Sequence, residues 1–335
     1  MHETRTTSAP RRWAWLLALV FAVSLCCQPV WATSRERTVI PLGKAVGIKL
    51  FADGVLVVGL AEGSDCPARR CGLKTGDIIT AINGTHITST EQVQQLLQEG
   101  GETVTLSVHR DGKALTCTAH MDDEDTRQLG AWIRDSMAGI GTLTYYDPAT
   151  GQYGALGHGI TDVDTAQLMP LQSGSIMETT VKAVKKGVKG EAGELKGDFS
   201  RQRDVGSVTV NSDGGIFGTV ADVAYLGGGK PVPVAAPHQV KTGSATILST
   251  VAGGETEEYT VDILRVYGDG AATRNLLLRV TDQRLLDITG GIVQGMSGSP
   301  ILQNGRIVGA VTHVLLNDPT RGYGIFIENM LSMAG

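Results

Sequence analysis

The chain has 335 residues, a net charge of −5 and no long block of basic residues, which argues against nucleic acid as a partner. Glycine is frequent, at 44 residues, and aromatic residues make up only 5% of the chain, a composition that favours short strands and turns over long helices. The length predicts about two domains together with any targeting segment.

The first 32 residues have the pattern of an export signal. Arg11 and Arg12 precede an apolar run over residues 13–27, and Pro29-Val30-Trp31-Ala32 is similar to a signal-peptidase cleavage site. The pattern predicts either a cleaved signal peptide or a single retained membrane anchor, and the sequence leaves both open. Residues 33–43 follow as a predicted linker.

Cysteine and histidine spacing gives no support for a metal site. Cys66, Cys71 and Cys117 remain beyond the leader, and the sequence contains no Cys-x-x-Cys or His-Glu-x-x-His motif. A bridge between Cys66 and Cys71 is one interpretation in an oxidising compartment, but three small buried or half-buried thiols are the favoured one. We therefore predict neither a metal nor another cofactor.

Residues 44–121 are predicted to form a small α+β domain. The patterns predict strands over 46–50, 54–58, 103–108 and 114–119 and a helix over 90–98 with Thr90 as its N-cap. Residues 68–84 follow the pattern A-x-x-x-G-L-x-x-G-D-x-I-x-x-I-N-G, and this segment resembles bacterial PDZ domains.

The PDZ resemblance implies that a peptide is bound as an added strand beside a strand and a helix. It places the nest for the peptide carboxylate near Val46-Gly47-Ile48, with Val93 and Leu97 lining the groove. The peptide's source is open, and the chain's own N-terminal segment is one candidate. The alternative is a PDZ fold that serves only as a spacer.

Residues 122–335 are predicted to form a separate all-β domain. The acidic run 122–125 marks the predicted boundary, and residues 132–140 are expected to continue as a connector. Further along, His158 lies between two glycines at the end of an apolar strand, which is unusual for a histidine that only fills space. Its imidazole suits general acid–base work because its pKa lies near neutrality.

Ser297 lies in the segment Gly295-Met296-Ser297-Gly298-Ser299-Pro300. Glycines allow a sharp turn that exposes a hydroxyl beside free backbone N–H groups, the parts of a nucleophile and its oxyanion hole at Gly295 and Ser297. Asn304-Gly305 follows between two apolar runs and predicts a β-hairpin. The alternative is an ordinary glycine-serine turn; the α/β-hydrolase pattern G-x-S-x-G does not match.

From the residues alone, the acid that would orient His158 is open among Asp162, Asp164, Asp282 and Asp287. The segments 154–159, 280–282 and 290–300 together resemble the stage IV sporulation protein B serine peptidases, PDZ-containing enzymes of endospore formers. This resemblance selects Asp282 as the third member of a triad with His158 and Ser297. Thr312 and His313, on the strand after the hairpin, are expected to flank the substrate cleft.

The resemblance implies a mainly β chain: an N-terminal signal or anchor helix, a PDZ domain, and a chymotrypsin-like double β-barrel. It also implies export across the forespore membrane and a sporulation checkpoint. The enzyme would cleave itself and a regulator of an intramembrane protease that activates a late sigma factor. The alternatives are a PDZ domain on an inactive β-barrel and an HtrA-like quality-control protease, although those carry the PDZ domain after the protease.

Overall fold

Strands dominate the part of the chain that the computed structural model describes, residues 36–63, 65–121, 127–198, 203–268 and 273–334. The strands are β1 Thr38–Pro41, β2 Ala45–Leu60, β3 Ile78–Ile82, β4 Thr85–His86, β5 Thr103–Arg110, β6 Lys113–His120, β7 Ala131–Asp147, β8 Gln152–Ala155, β9 Leu171–Met177, β10 Thr180–Lys185, β11 Glu194–Asp198, β12 Asp204–Ser212, β13 Gly215–Val220, β14 Val232–Pro233, β15 Gly243–Ser249, β16 Glu257–Val266, β17 Leu276–Val280, β18 Pro300–Gln303, β19 Arg306–Val314 and β20 Arg321–Phe326. The helices are α1 Pro67–Arg70, α2 Thr90–Glu99, α3 Gln283–Thr289 and α4 Ile327–Ser332, with short 3-10 turns at Val223–Leu226 and Pro237–Gln239.

The C-terminal barrel is closed, and its strands follow one another closely in the sequence. Their order around the barrel is β15-β16-β17-β20-β19-β18. Every second residue of these strands points into an apolar core. The core includes Ile247, Val261 and Leu278, each no more than 2% exposed. The hairpin predicted at Asn304-Gly305 joins β18 to β19, with both residues at the positive φ values that such a turn needs.

The barrel that comes first along the chain, here named the first barrel, is formed from more distant segments. Strands β7, β8, β13, β12, β9 and β2 pair in that order, and β2 also pairs with β7, so the ring closes. Its core contains Ile48, Leu143 and Ile176. The mainly β fold with a PDZ domain and β-barrels is therefore confirmed, while the predicted leader at 1–32 lies outside the described residues.

The PDZ lobe consists of β3–β6, helices α1 and α2, the second half of β2 and the first residues of β7. Helix α2 buries Val93 and Leu97 in the lobe's own core. Its N-cap is Ser89 rather than the predicted Thr90, because the Ser89 side chain accepts a hydrogen bond from the Gln92 amide.

Two long strands cross from the PDZ lobe into the first barrel, which corrects the predicted boundaries. The predicted strands 46–50 and 54–58 are one strand, β2, and the predicted connector 132–140 lies within β7. The predicted domain 44–121 therefore includes residues of β2 that pair in the first barrel and omits the residues of β7 that pair with β2 in the PDZ lobe. The predicted linker 33–43 contains β1, which pairs with both β7 and β14. Residues 37–335 form one compact unit.

Cys66, Cys71 and Cys117 are free thiols, two of them buried and Cys71 half-buried. Burial raises the pKa of the Cys71 and Cys117 thiols. No helix within the described ranges is long and apolar enough to cross a membrane.

Candidate active site

His158 is presented by a tight turn after β8. Leu156 and Gly157 both have left-handed backbones, at φ +68° and +69°. A Cβ on Gly157 would lie 2.9 Å from the Thr312 Cγ2, so glycine allows this turn to press against the C-terminal barrel. The histidine therefore reaches the interface between the two barrels.

Ser297 lies in the loop between α3 and β18. Along this loop, backbone N–H groups that donate a hydrogen bond alternate with N–H groups that do not. The N–H groups of Gln294, Met296 and Gly298 donate to backbone carbonyls of Gly193, Val293 and Val311. Within the described ranges, the N–H groups of Gly295 and Ser297 donate to no protein acceptor. Those two groups are the predicted oxyanion donors, and the structure leaves them available.

One pocket of about 490 Å³ brings His158 and Ser297 together at the barrel interface. Thr312 and His313, which were predicted to flank the substrate cleft, also line this pocket. The remaining lining residues are Ile48, Met137, Ala138, Gly139, Ile140, Leu156, Gly159, Ile160, Thr161, Val163, Ile292, Val293, Gln294, Gly295 and Val314. The lining thus contains no aspartate, glutamate, lysine or arginine and is mostly apolar.

The imidazole of His158 is oriented by a backbone carbonyl. Its Nδ1 lies 2.8 Å from the Gly159 carbonyl oxygen, which can only accept, so Nδ1 carries the hydrogen and Nε2 is left as the base. Burial lowers the pKa of His158, which keeps the imidazole neutral, and so able to accept a proton, at neutral pH. The Ser297 hydroxyl donates to the Thr312 carbonyl, 2.8 Å away, rather than to the imidazole.

His313 is a second imidazole in the pocket. Its ring centroid lies 5.1 Å from that of His158, and its buried Nδ1 has no hydrogen-bond partner in the described structure. Burial, together with repulsion from His158 and Arg274, lowers the pKa of His313 to about 4. Both histidines are therefore neutral at physiological pH.

Asp282 neither bonds to His158 nor lines its pocket, so the predicted triad is corrected. It is the N-cap of α3, and its carboxylate accepts from the Arg284 amide and pairs with the Arg284 guanidinium at 3.0 Å. These donors lower the pKa of Asp282 and occupy its oxygens. Among the described residues, no carboxylate is bonded to His158 or lines its pocket.

Two other predicted candidates lie in the loop after His158 and serve to anchor it. Asp162 is completely buried, pairs with Arg134 of β7 and accepts hydrogen bonds from the backbone and side chain of Thr165. Asp164 is the outer partner of the same arginine, at 3.0 Å. The fourth candidate, Asp287, accepts from Gln283 on the surface of α3.

The predicted carboxylate nest of the PDZ domain is also misplaced. Residues 46–48 pair with β7 on one edge, and Gly47 and Ile48 also pair with β9 on the other. A peptide therefore finds no free edge at these two residues, and Ile48 lines the catalytic pocket. A different pocket, of about 530 Å³, lies between α2, with Val93 and Leu97, and residues 127–133. The sequence signal for it is Leu129-Gly130-Ala131, which repeats the apolar-Gly-apolar pattern of Val46-Gly47-Ile48.

The family model for SpoIVB peptidase S55 matches residues 125–331, which is more than half of the chain. The chain belongs to the SpoIVB peptidase S55 family. As a member of this family it is a serine peptidase, and the matched range contains both His158 and Ser297. A PDZ domain model matches residues 61–110, within the lobe described above.

Solved structures with some similarity to this S55 peptidase include a PDZ domain and a protease. The PDZ domain of the SdrC-like protein Lmo2051 from Listeria monocytogenes is 26% identical, with 24% of this chain and 87% of that chain covered and a TM-score of 0.21. The active form of the Rv3671c protease from M. tuberculosis is 18% identical, with 60% and 75% covered and a TM-score of 0.33. Its inactive form is 15% identical, with 59% and 82% covered and a TM-score of 0.33. A search of curated proteins gave no match.

Proposed function

We propose that this serine peptidase is an endopeptidase that cleaves itself and a membrane-associated regulator of an intramembrane protease. In this proposal, the cleavage is a step in intercompartment signalling during sporulation that leads to activation of a late sigma factor. The observation that carries the endopeptidase chemistry is the single pocket that joins His158 to Ser297 and to two unused amides. The family match supports the sporulation context.

The proposed mechanism begins with rotation of the Ser297 hydroxyl from the Thr312 carbonyl toward His158. Nε2 of His158 takes the hydroxyl proton as the oxygen attacks the scissile carbonyl, and the Gly159 carbonyl holds the imidazole by its Nδ1–H. The N–H groups of Gly295 and Ser297 stabilise the oxyanion. Loss of one such donor would lower the rate roughly 10²- to 10³-fold. His158 then protonates the leaving amine, and water hydrolyses the acyl-enzyme.

The pocket supports a preference for apolar side chains next to the scissile bond. Ile292 and Val293 precede the nucleophile and are buried, and Val314 faces the same cavity from β19. A charged substrate side chain would lose its hydration there without finding an opposite charge. We therefore propose apolar residues at the cleavage sites of both the enzyme and its partner.

We also propose that the groove between α2 and residues 129–133 binds a peptide C-terminus, with the chain's own N-terminal region as an alternative occupant. The start of β7 pairs with β2 on one edge, and its other side faces α2 across the pocket. An added strand in that space is the binding mode of PDZ domains. The nest for the carboxylate would be the turn at residues 128–130, where Gly130 has φ +73°.

The location of the reaction is proposed from the leader sequence. Export across the cytoplasmic membrane into the space between the forespore membranes would follow from the pattern over residues 11–32. The enzyme would act there either anchored by this segment or released from it.

Self-processing is the experiment that tests the endopeptidase proposal. We would express the full chain and its Ser297→Ala variant, follow fragment masses by mass spectrometry, and label both with a fluorophosphonate probe. Discrete fragments and labelling of the wild type alone are expected. Absence of both in the folded wild type would favour the inactive-barrel alternative, and labelling without fragments would limit the enzyme to cleavage of other proteins.

Trp132 offers a direct test of the PDZ groove. It lines the groove, is 63% exposed, and is the only tryptophan in residues 33–335. Peptides with an apolar C-terminal residue should change its fluorescence when the carboxylate is free and bind at least tenfold more weakly when it is amidated. Equal responses to both forms would rule out a carboxylate nest at this position.

A further inference from the structure

Thr142 of β7 connects the first barrel directly to the nucleophile loop. Its backbone N–H donates to the Ser297 carbonyl at 3.1 Å, and its Oγ1 donates to the Gly295 carbonyl at 2.7 Å. Thr142 itself is completely buried, which shields its hydroxyl and its amide from bulk water. One side chain and its own amide thus contact both residues whose N–H groups form the proposed oxyanion hole.

The bonds to Thr142 fix two peptide units of the nucleophile loop at both of their ends. The unit between residues 295 and 296 is held by Thr142 at its carbonyl and by Val293 at its N–H. The unit between 297 and 298 is likewise held by Thr142 and, through the Gly298 N–H, by the Val311 carbonyl. Each peptide unit is planar and rigid, so fixing both of its ends fixes its orientation.

The N–H groups of Gly295 and Ser297 belong to the units just before the clamped ones. The carbonyls of those units accept from the Leu195 and Ser299 amides, so each unit is held at one end. Gly295 has φ +97°, a backbone state that glycine leaves readily for others. Without the hydroxyl of Thr142, the carbonyl of Gly295 would lose its only protein donor among the described residues, and the Gly295 N–H would be oriented only by the bond from Leu195 to the preceding carbonyl. The direction of the Gly295 N–H therefore depends in part on a residue in the other barrel.

We propose that Thr142 is a positioning residue for the oxyanion hole, a role that rests on the proposed peptidase mechanism. It acts through the carbonyls of Gly295 and Ser297 and does not touch the substrate. Sequence reading did not single it out, because a threonine in an alternating strand carries no motif of its own.

Thr144 provides a matched control two residues along the same strand. It is also completely buried, but its Oγ1 has no hydrogen-bond partner in the described structure. Thr144→Val therefore removes an unpaired hydroxyl and should leave the enzyme's activity unchanged and its stability equal or higher. Thr142→Val makes the same chemical change at the clamped position.

The experiment is saturation kinetics of fluorophosphonate labelling of the full chain, since the phosphoryl oxygen of this probe also needs the oxyanion hole. For Thr142→Val we expect the limiting labelling rate to fall about 10- to 100-fold, with the half-saturating probe concentration changed less than about twofold. Thr142→Ser keeps the hydroxyl and should restore most of the rate. Circular dichroism and the thermal midpoint check folding.

Two results would overturn the inference. One is a Thr142→Val enzyme that labels as fast as Thr144→Val and the wild type. The other is a Thr142→Ser enzyme that is as slow as Thr142→Val, because the lost methyl packing rather than the hydroxyl would then matter. A folded wild type that does not label at all would instead remove the peptidase mechanism on which the role rests.

Discussion

His158 and Ser297 face one pocket from opposite barrels, but different interactions hold their loops in place. The loop after His158 is anchored by charge, through the buried Asp162 and its partner Arg134. The loop around Ser297 is anchored by neutral backbone hydrogen bonds and by glycines that leave no room for a side chain. Charge anchoring responds to solvent and pH, whereas close packing responds to added atoms. Removing a charge should therefore disturb the His158 loop, whereas adding an atom should disturb the Ser297 loop.

Gly298→Ala, in the closely packed Ser297 loop, is expected to have the largest effect on stability and on labelling. Gly298 has φ +98°, and a Cβ there would collide with the Thr142 carbonyl and the Leu156 amide. Strain and overpacking should together cost roughly 3–5 kcal/mol of unfolding free energy and abolish fluorophosphonate labelling.

Gly305→Ala is its matched control. Gly305 also has a positive φ, +73°, but nothing lies within 4 Å of an added Cβ. Only the backbone strain of about 1–2 kcal/mol should remain, with labelling retained. Urea denaturation measures both variants. Equal losses would mean that backbone conformation and not packing limits the Ser297 loop.

The next largest effect is expected from Asp162→Asn in the charged loop. The change leaves Arg134 without its buried partner, and because Arg134 is 31% exposed and stays partly hydrated, the loss should be about 2–3 kcal/mol. The labelling rate should fall as the His158 turn loosens.

Asp164→Asn tests the same arginine from its exposed side. Asp164 is 50% exposed, and surface pairs of this kind contribute about 0.5 kcal/mol. A smaller loss for Asp162→Asn than for Asp164→Asn in urea denaturation would contradict the charged-anchor interpretation.

The two imidazoles, of His158 and His313, are expected to make a smaller, pH-dependent contribution to the unfolding free energy. Both have pKa values below 6.5 in the folded enzyme, His313 at about 4. Between about pH 6.5 and 4 the unfolded chain binds more protons than the folded one, so their contribution to stability is present above 6.5 and is lost as the pH falls. In His313→Gln, the unfolding free energy should fall less between pH 7 and pH 5 than it does in the wild type. An unchanged pH dependence would mean that His313 has the same pKa in the folded and the unfolded chain.

The acid limb of the labelling rate should also lie below pH 6.5, since burial lowers the pKa of His158. Labelling rates from pH 8 to 4.5 measure it directly. A midpoint above 6.5 would indicate that an anionic group stabilises the imidazolium, contrary to the described site.

The smallest effect is expected from Asp282→Asn. Asparagine caps a helix about as well as aspartate, and the exposed partner Arg284 keeps its hydration, so less than about 1 kcal/mol should be lost. The labelling rate should change less than about twofold. A drop of a hundredfold or more would restore Asp282 to the triad and imply that the catalytic state differs from the one described. Asp262→Asn, which breaks another pair in the same barrel, controls for stability.

Local motifs predicted the parts of the site that lie within a few residues of each other. The glycines around His158 and Ser297, the Asn304-Gly305 hairpin and the apolar face of α2 all follow from short patterns. The position of Asp282 depends on which neighbour its carboxylate meets, and Arg284, two residues away, is as good a partner as a distant histidine. Likewise, whether Val46-Gly47-Ile48 or Leu129-Gly130-Ala131 faces α2 depends on strand pairing across the whole fold.

The two shared strands also describe how the molecule is assembled. Phe51 of β2 lies opposite Ser136 of β7, so the chain leaves the first barrel and returns to it through adjacent antiparallel positions. Topologically, the PDZ lobe is an insertion at the end of a β-hairpin of the peptidase. A two-residue turn between residues 51 and 136 would remove it and leave the barrel ring closed. Conversely, a cut at residue 44 or 121 would divide one of the two folds rather than separate them.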